Sequence, residues 1–165
     1  MKVYGMEKSS FRCKMQNLTT MKIVINSCYG GFSLSFAGLK RYYEIKFPER
    51  KLYLYKRDFS TGTYTKVSEG EYDSFYTDIF DKDFGSTFKE NDIEYKVFND
   101  HFVFSHDIAR TDPILVQVVE ELGDKANGDC AELSVVEFSG NKYRICEYDG
   151  LEWVETPDTI KWEEV

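Results

Sequence analysis

Two short stretches hold residue types that could do chemistry. The first is Cys28-Tyr29-Gly30-Gly31-Phe32-Ser33. Paired glycines let backbone approach a ligand closely, and the start of a following helix offers free N–H groups with partial positive charge. That combination suits an anion, with a thiol at Cys28 and aromatic faces at Tyr29 and Phe32. It is neither a Walker A loop nor a dinucleotide fingerprint, and no Lys-Ser/Thr pair follows. The same residues equally suit a tight strand-to-helix turn packed by Cys28 and Phe32.

The second stretch is His106-Asp107-Ile108-Ala109-Arg110-Thr111-Asp112. Arg110 could grip a phosphate or carboxylate with two parallel hydrogen bonds. His106 could carry a proton near neutrality. The alternative is a solvated loop in which Arg110 pairs with Asp107 and Asp112 caps the next helix. If both stretches meet at one end of a sheet, they form a cleft of amides, guanidinium, aromatic faces and a thiol, suited to a nucleotide-like or sugar-phosphate ligand. The candidate ligand-binding set is therefore Cys28, Tyr29, Gly30, Gly31, Phe32, Ser33, His106, Asp107 and Arg110. No nucleophile–base–orienter set stands out, and Cys28 could pair with His106 only if the loops converge; no catalytic residue is assigned. The four cysteines Cys13, Cys28, Cys130 and Cys146 form no Cys-x-x-Cys pair, and His101 and His106 are not at zinc-finger spacing from them. No metal site and no cofactor are expected.

The elements that must hold these residues are legible in part. Residues 21–26 alternate as a strand, and Ser35 can cap a helix over 36–45 with Phe36, Leu39, Tyr42 and Tyr43 at helical spacing. A strand at 51–57 follows Pro48, so the two strands could be parallel neighbours in a β-α-β unit. Residues 63–67 read as a strand, and 70–85 as a lid or short helix. Strands at 86–89, 93–98 and 101–105 would be separated by tight turns at Asn91-Asp92 and Asn99-Asp100. The helix at 113–122 has Asp112 as cap, Pro113 at its first position and Gly123 at its end. Strands at 131–138, 143–148 and 151–155 then form an antiparallel meander, with 156–165 available as a further edge strand. The expected architecture is a single α+β domain: a mixed β-sheet, two main helices and a C-terminal antiparallel meander. Residues 1–20 read as an N-terminal extension, and 21–165 as the domain, with a variable insertion at about 58–105.

Composition limits what this domain can do. At 42% hydrophobic and 16% aromatic residues, the 165-residue chain has material for one core and is not disordered. No apolar run approaches the roughly 18 residues of a membrane-spanning helix. The opening MKVYGMEKSS has no apolar signal-peptide core, so a cytoplasmic protein with reduced thiols is expected. The net charge of −8 divides unevenly: residues 1–57 carry twelve basic and three acidic residues, and residues 58–165 carry nine and twenty-six. Such a chain is a poor general nucleic-acid binder. Its basic third could hold a small anion, or pair with its own acidic part within or between subunits.

Three blocks carry a resemblance. MKIVINSCYGGFSLS at 21–35, ARTDPILVQVVEELG at 109–123 and EYDGLEWVE at 147–155 resemble an uncharacterised family of small bacteriophage and prophage proteins. The match covers roughly half the chain in separate blocks and departs from the family pattern at Phe36-Ala37-Gly38 and after Thr156. Members typically begin at the position of Met21, which agrees with an extension before it. The resemblance implies a phage origin and a role inside the infected host cell, without a settled activity. Proteins of this kind often counter host defence, some by sequestering nucleotide signals and others by mimicking DNA with an acidic surface.

Three functions follow as expectations. The first is binding and sequestration of a small phosphorylated nucleotide-derived ligand. The second is an acidic interaction protein or DNA mimic directed at a host defence nuclease. The third is an enzyme acting on a nucleotide or glycosidic bond through Asp107, Asp112 or Cys28. The expected partners are the small ligand, a host defence protein and further copies of the chain as a homo-oligomer, with no membrane.

Overall fold

The computed structural model describes residues 20–161. In chain order it contains β1 (Thr20–Asn26), α1 (Phe36–Lys46), β2 (Tyr53–Asp58), β3 (Thr63–Val67), β4 (Thr77–Phe80), β5 (Thr87–Lys89), α2 (Tyr95–His101), α3 (Pro113–Leu122), β6 (Leu133–Ser139), β7 (Arg144–Tyr148) and β8 (Leu151–Glu155). No described helix is long and apolar enough to cross a membrane. The strands form three antiparallel sheets: β1 with β6, a four-stranded sheet in the order β4-β2-β3-β5, and the β7–β8 hairpin.

Period-two alternation explains how one chain fills two cores. In β2 and β4, Leu54 and Ile79 point to one face, where they join Val24, Leu39, Tyr42, Leu115 and Val118 under α1 and α3. Their neighbours Tyr55 and Phe80 point to the opposite face and join Tyr64, Phe88 and Phe98. That second core is almost wholly aromatic. Tyr64 stacks on Phe88 with ring centroids 4.7 Å apart, and Phe80 meets Tyr55, Tyr64 and Phe88 edge to face. Edge-to-face contacts set positive ring edges against negative faces, which favours them over parallel sandwiches.

The helices end where their capping chemistry says. Ser35 Oγ accepts the Gly38 N–H at 3.0 Å to start α1. Asp112 accepts the Ile114 N–H at 2.8 Å to start α3, Pro113 occupies its first position, and Gly123 stops it at a φ of 55°. Asp149 and Gly150, both at positive φ, make the tight turn of the β7–β8 hairpin.

The α+β single domain is as expected, and so are both main helices and the antiparallel C-terminal hairpin. The connectivity differs. No mixed sheet and no parallel β-α-β unit occur among the described residues, because β1 takes β6 as its antiparallel neighbour while β2 lies in the second sheet. β2 instead pairs with β3 and β4, where its alternating Leu54 and Tyr55 serve two different cores on opposite faces. The meander is a hairpin only, since β6 pairs with β1 rather than β7. Residues 93–98 belong mainly to a short helix, not a strand: helical spacing swings Phe98 into the aromatic core and leaves Tyr95 outside. Residues 101–103 run beside β4 through Asp81 N–H to His101 O and Val103 N–H to Ile79 O, without a full strand. Residues 70–85 contain the end of a short 3-10 turn, Glu69–Glu71, and the strand β4. The extension expected at 1–20 lies, except for Thr20, outside the described residues. The described part of the tail turns back at Thr156–Thr159, where the Thr156 backbone N–H is held by Thr159 Oγ1 at 2.8 Å.

The aromatic core has a measurable signature. Phe80→Ala is expected to cost about 3–5 kcal/mol in chemical denaturation. Tyr95→Ala, at a side chain 81% exposed, is expected to stay within about 0.5 kcal/mol of wild type.

Candidate functional site

The two sequence stretches do meet, and they meet inside the protein. Arg110 lies with its guanidinium carbon 3.2 Å from the centre of the buried Phe32 ring. Two parallel hydrogen bonds, 3.0 and 2.8 Å long, join it to the Glu152 carboxylate of β8. Only 19% of the Arg110 side chain and 9% of the Glu152 side chain are exposed. Burial draws Arg110 below its ordinary pKa, while the Glu152 hydrogen bonds and charge oppose that shift. Glu152 also accepts the Asn26 backbone N–H at 2.8 Å, and the Arg110 carbonyl accepts the Val24 N–H at 2.9 Å. The forked arginine thus clasps β1, the loop after it and the hairpin together.

Asn26 forms the second half of this hub. Its side chain is fully buried, yet every hydrogen-bonding position is used. It donates to the carbonyls of Cys28 and Gly150, both at 2.7 Å, and accepts the Glu132 N–H at 2.8 Å and the Cys28 thiol at 3.4 Å. Glycines permit the close crossing. A Cβ on Gly30 would collide with the carbonyl of Cys130, and one on Gly150 would lie 2.5 Å from the Gly31 nitrogen.

The expected site residues are therefore divided among several roles. The single thiol proton of Cys28 is shared between Asn26 Oδ1 at 3.4 Å and the Cys130 carbonyl at 3.2 Å, not given to His106. Gly30 is filled by chain crossing and Gly31 turns at a φ of 87°. Tyr29 points outward, 66% exposed. Phe32 is the platform for Arg110, and exposed His106 meets the edge of the same ring at 6.5 Å. Asp107 is exposed in the turn beside His106. Asp112 caps α3 and takes hydrogen bonds from Tyr42 and Lys46. Burial works against its charge, but the bonds from Lys46, the Ile114 N–H and Tyr42 outweigh it and hold its carboxyl below the ordinary value.

Ser33 leads to open space. A cleft of about 300 Å³ lies between the start of α1, the 72–75 segment and the 128–130 turn. Phe36, Tyr72 and Phe75 are its aromatic walls, and Ser33, Ser35 and Asp129 its polar groups. Ser74 donates to the Asp129 carboxylate. Phe36 stacks on Tyr72 at 5.1 Å, and its ring also lines a second cleft of about 290 Å³. That cleft carries Lys40, Arg50 and Lys51 beside Tyr43 and Leu52, with Glu44 and Glu69 at its edge. Arg50 is fixed there by the Asp81 carboxylate at 2.9 Å and the Phe47 ring at 4.6 Å, with half its side chain exposed. Glu69 takes Lys40 at 2.8 Å and holds its ammonium above the ordinary pKa.

Sequence reasoning did not find Asn26, Glu152, Phe36, Tyr72, Asp129 or Arg50. Glu152 had a signal, a carboxylate between the apolar neighbours Leu151 and Trp153 on a strand. The cleft residues had none, because they come from four separated segments. Among the described residues, no group of three or more His, Cys, Asp or Glu side chains is placed to hold a metal ion. No protein-family model, curated protein or solved structure matches the chain.

Removing one member of the buried pair strands the other's charge. Glu152→Ala and Arg110→Ala are each expected to destabilise by about 3–5 kcal/mol. Arg110→Met combined with Glu152→Leu should recover much of that loss, read as a coupling energy in a double-mutant cycle of urea denaturation. Asp112 gives a pH test. With its folded pKa depressed, its stabilisation is complete above its ordinary value near 3.8 and is lost as pH falls through the lower folded value. Stability of Asp112→Asn is therefore expected to fall less steeply than that of wild type over that acid window, as measured by denaturation at stepped pH.

Proposed function

We propose that the protein binds a small phosphorylated nucleotide-derived ligand without turning it over, and that the two clefts meeting at Phe36 receive it. The observation that carries this reading is that Phe36 lines both clefts, with aromatic walls in one and basic groups in the other. In the first cleft, Phe36, Tyr72 and Phe75 are aromatic walls against which a base would pack. Each such contact is worth about 1–3 kcal/mol. Ser33 and Ser35 add hydroxyls, and the Asp129 carboxylate accepts from a ribose diol or a base N–H. In the second cleft, the held guanidinium of Arg50 and the exposed Lys51 offer donors to a phosphate. Arg110 has no part in this, since a ligand phosphate would have to displace Glu152 from a buried two-bond contact.

The resemblance to phage proteins fits a role in the cytoplasm of an infected cell and does not choose between sequestration of a nucleotide signal and DNA mimicry. The DNA-mimic reading is weaker than the acidic count suggests. Glu69, Asp81, Asp83, Glu90, Asp112, Glu120 and Glu121 each have a basic partner within the chain.

Titration calorimetry against cyclic nucleotides, ADP-ribose derivatives and NAD tests the proposal. Wild type is expected to bind at least one of them and to release it chemically intact on denaturation, as read by mass spectrometry. Phe36→Ala should weaken binding roughly tenfold or more, and Lys51→Ala should weaken phosphorylated ligands selectively over the matching nucleosides. Absence of binding across the panel, or affinity untouched by Phe36→Ala, would overturn the assignment.

A further inference from the structure

β6 leaves one side of its ladder unused. In an antiparallel ladder, successive residues turn their N–H and C=O groups to opposite edges. On β1, Val24 and Asn26 turn away from β6: their N–H groups reach the Arg110 carbonyl and the Glu152 carboxylate. Ile23 and Ile25 therefore face β6, where they stand opposite Val136 and Ser134. It follows that Leu133, Val135, Glu137 and Ser139 aim their backbone groups at the outer edge. Asn127 Oδ1 accepts the Leu133 N–H at 2.9 Å. Among the described residues, no backbone partner meets Val135, Glu137 or Ser139 on that edge.

Open edges are ordinarily blunted with lysine, proline, a bulge or a covering segment. Here the sequence is Leu-Ser-Val-Val-Glu-Phe-Ser, with a single charge and neither lysine nor proline. Its register against β1 runs unbroken from Leu133 to Ser139. The sheet it belongs to has only two strands. Glu137 is the only residue in this strand that opposes further pairing.

We propose that this edge pairs with the same edge of a second copy of the chain, antiparallel about a two-fold axis at Val136, making one four-stranded sheet from two β1–β6 ladders. The register follows from charge and from strand length. An axis at Glu137 would set the two Glu137 carboxylates against each other, which is destabilising. An axis at Val135 would leave Phe138 and Ser139 beyond the pairing. An axis at Val136 uses the whole strand. It sets Val135 opposite the second copy's Glu137 as the central hydrogen-bonded pair, and it places Leu133, whose N–H stays on Asn127, opposite the second copy's Ser139. Lys22, 3.4 Å from Glu137 within its own chain, stays as the counter-charge. The contact is isologous, so it closes as a dimer and does not propagate.

Two measurements test this independently of any ligand. In wild type, sedimentation is expected to show a monomer–dimer equilibrium. Amide exchange at Val135, Glu137 and Ser139 should slow on the order of tenfold as concentration rises through it. In Val136→Cys, oxidised glutathione should convert the two introduced thiols, one per chain, to an intermolecular disulfide, releasing two reduced glutathiones. Peptide mapping should place the link at position 136, and Glu137→Cys should cross-link far less under the same conditions. A wild type that stays monomeric into the high micromolar range would refute the proposal. So would edge amides protected equally at every concentration, which would mean a segment of the same chain covers them, or equal cross-linking at positions 136 and 137. Should Val136→Cys fail to fold, the exchange measurement on wild type decides alone.

Discussion

The forked contact between Arg110 and Glu152 is the constraint on which the rest of the structure depends. It links a residue just before α3 to a residue in β8, and through Asn26 it reaches the end of β1. Those elements belong to three different parts of the chain, and nothing local brings them together. A buried ion pair adds little net stability by itself, because two charges must leave water. Its geometry is what matters. A guanidinium held over Phe32 meets the carboxylate through two hydrogen bonds of defined direction, so the pair helps set the register between hairpin, strand and loop. Asn26 works in the same way. With all of its donors and acceptors used, a shift of the loop would leave several buried polar groups without partners at once.

The division of charge along the chain has a structural cause. Lys22, Lys40, Arg41, Lys46, Arg50 and Arg57 all lie in the basic first third. Their partners Glu120, Glu69, Glu121, Asp112, Asp81 and Glu90 all lie in the acidic remainder. Most of these pairs are exposed and individually weak in water. Together they favour docking of α1 and β2 against α3 and the second sheet over alternatives that would bring like charges together. The acidic excess left over, −8 for the whole chain, serves solubility.

How far the sequence could be read depended on how local each signal was. The α3 helix was legible because Asp112, Pro113 and Gly123 act within a few residues of themselves. The Asp149-Gly150 hairpin was legible for the same reason. Residues 93–98 misled, since Val97 and Phe98 beside Tyr95 suit a strand by type, and only the position of the aromatic core selects the helix. The partner of β1 was not legible at all: β6 lies more than a hundred residues away, and pairing is decided by which faces need burial. For the site, the sequence offered the meeting of the 28–33 loop and Arg110 only as a condition, and it did not show what Arg110 binds. Glu152 competes for the guanidinium from within the protein, and a lone glutamate on a strand does not announce that role. Phe36, Tyr72 and Asp129 could not be assembled from spacing, because their proximity exists only after folding.

The glycine-rich stretch allows close contact between segments of backbone. Gly30 admits the Cys130 carbonyl, and Gly128 admits the Ser33 side chain, where any larger residue would collide. The Gly128 N–H then bonds the Ser33 carbonyl at 3.0 Å, and the Ser35 N–H bonds the carbonyl of Ala126 at 2.9 Å. These two crossings fix the 128–130 turn against the start of α1, and those are two of the three walls of the first cleft. The rigid hub and the open cleft are thus consecutive parts of one construction. Arg110, Glu152 and Asn26 hold the loop, the glycines let the loop lie against the turn, and the turn together with Phe36 bounds the cleft on two sides. Walls held in this way would lose little conformational freedom on binding the proposed ligand.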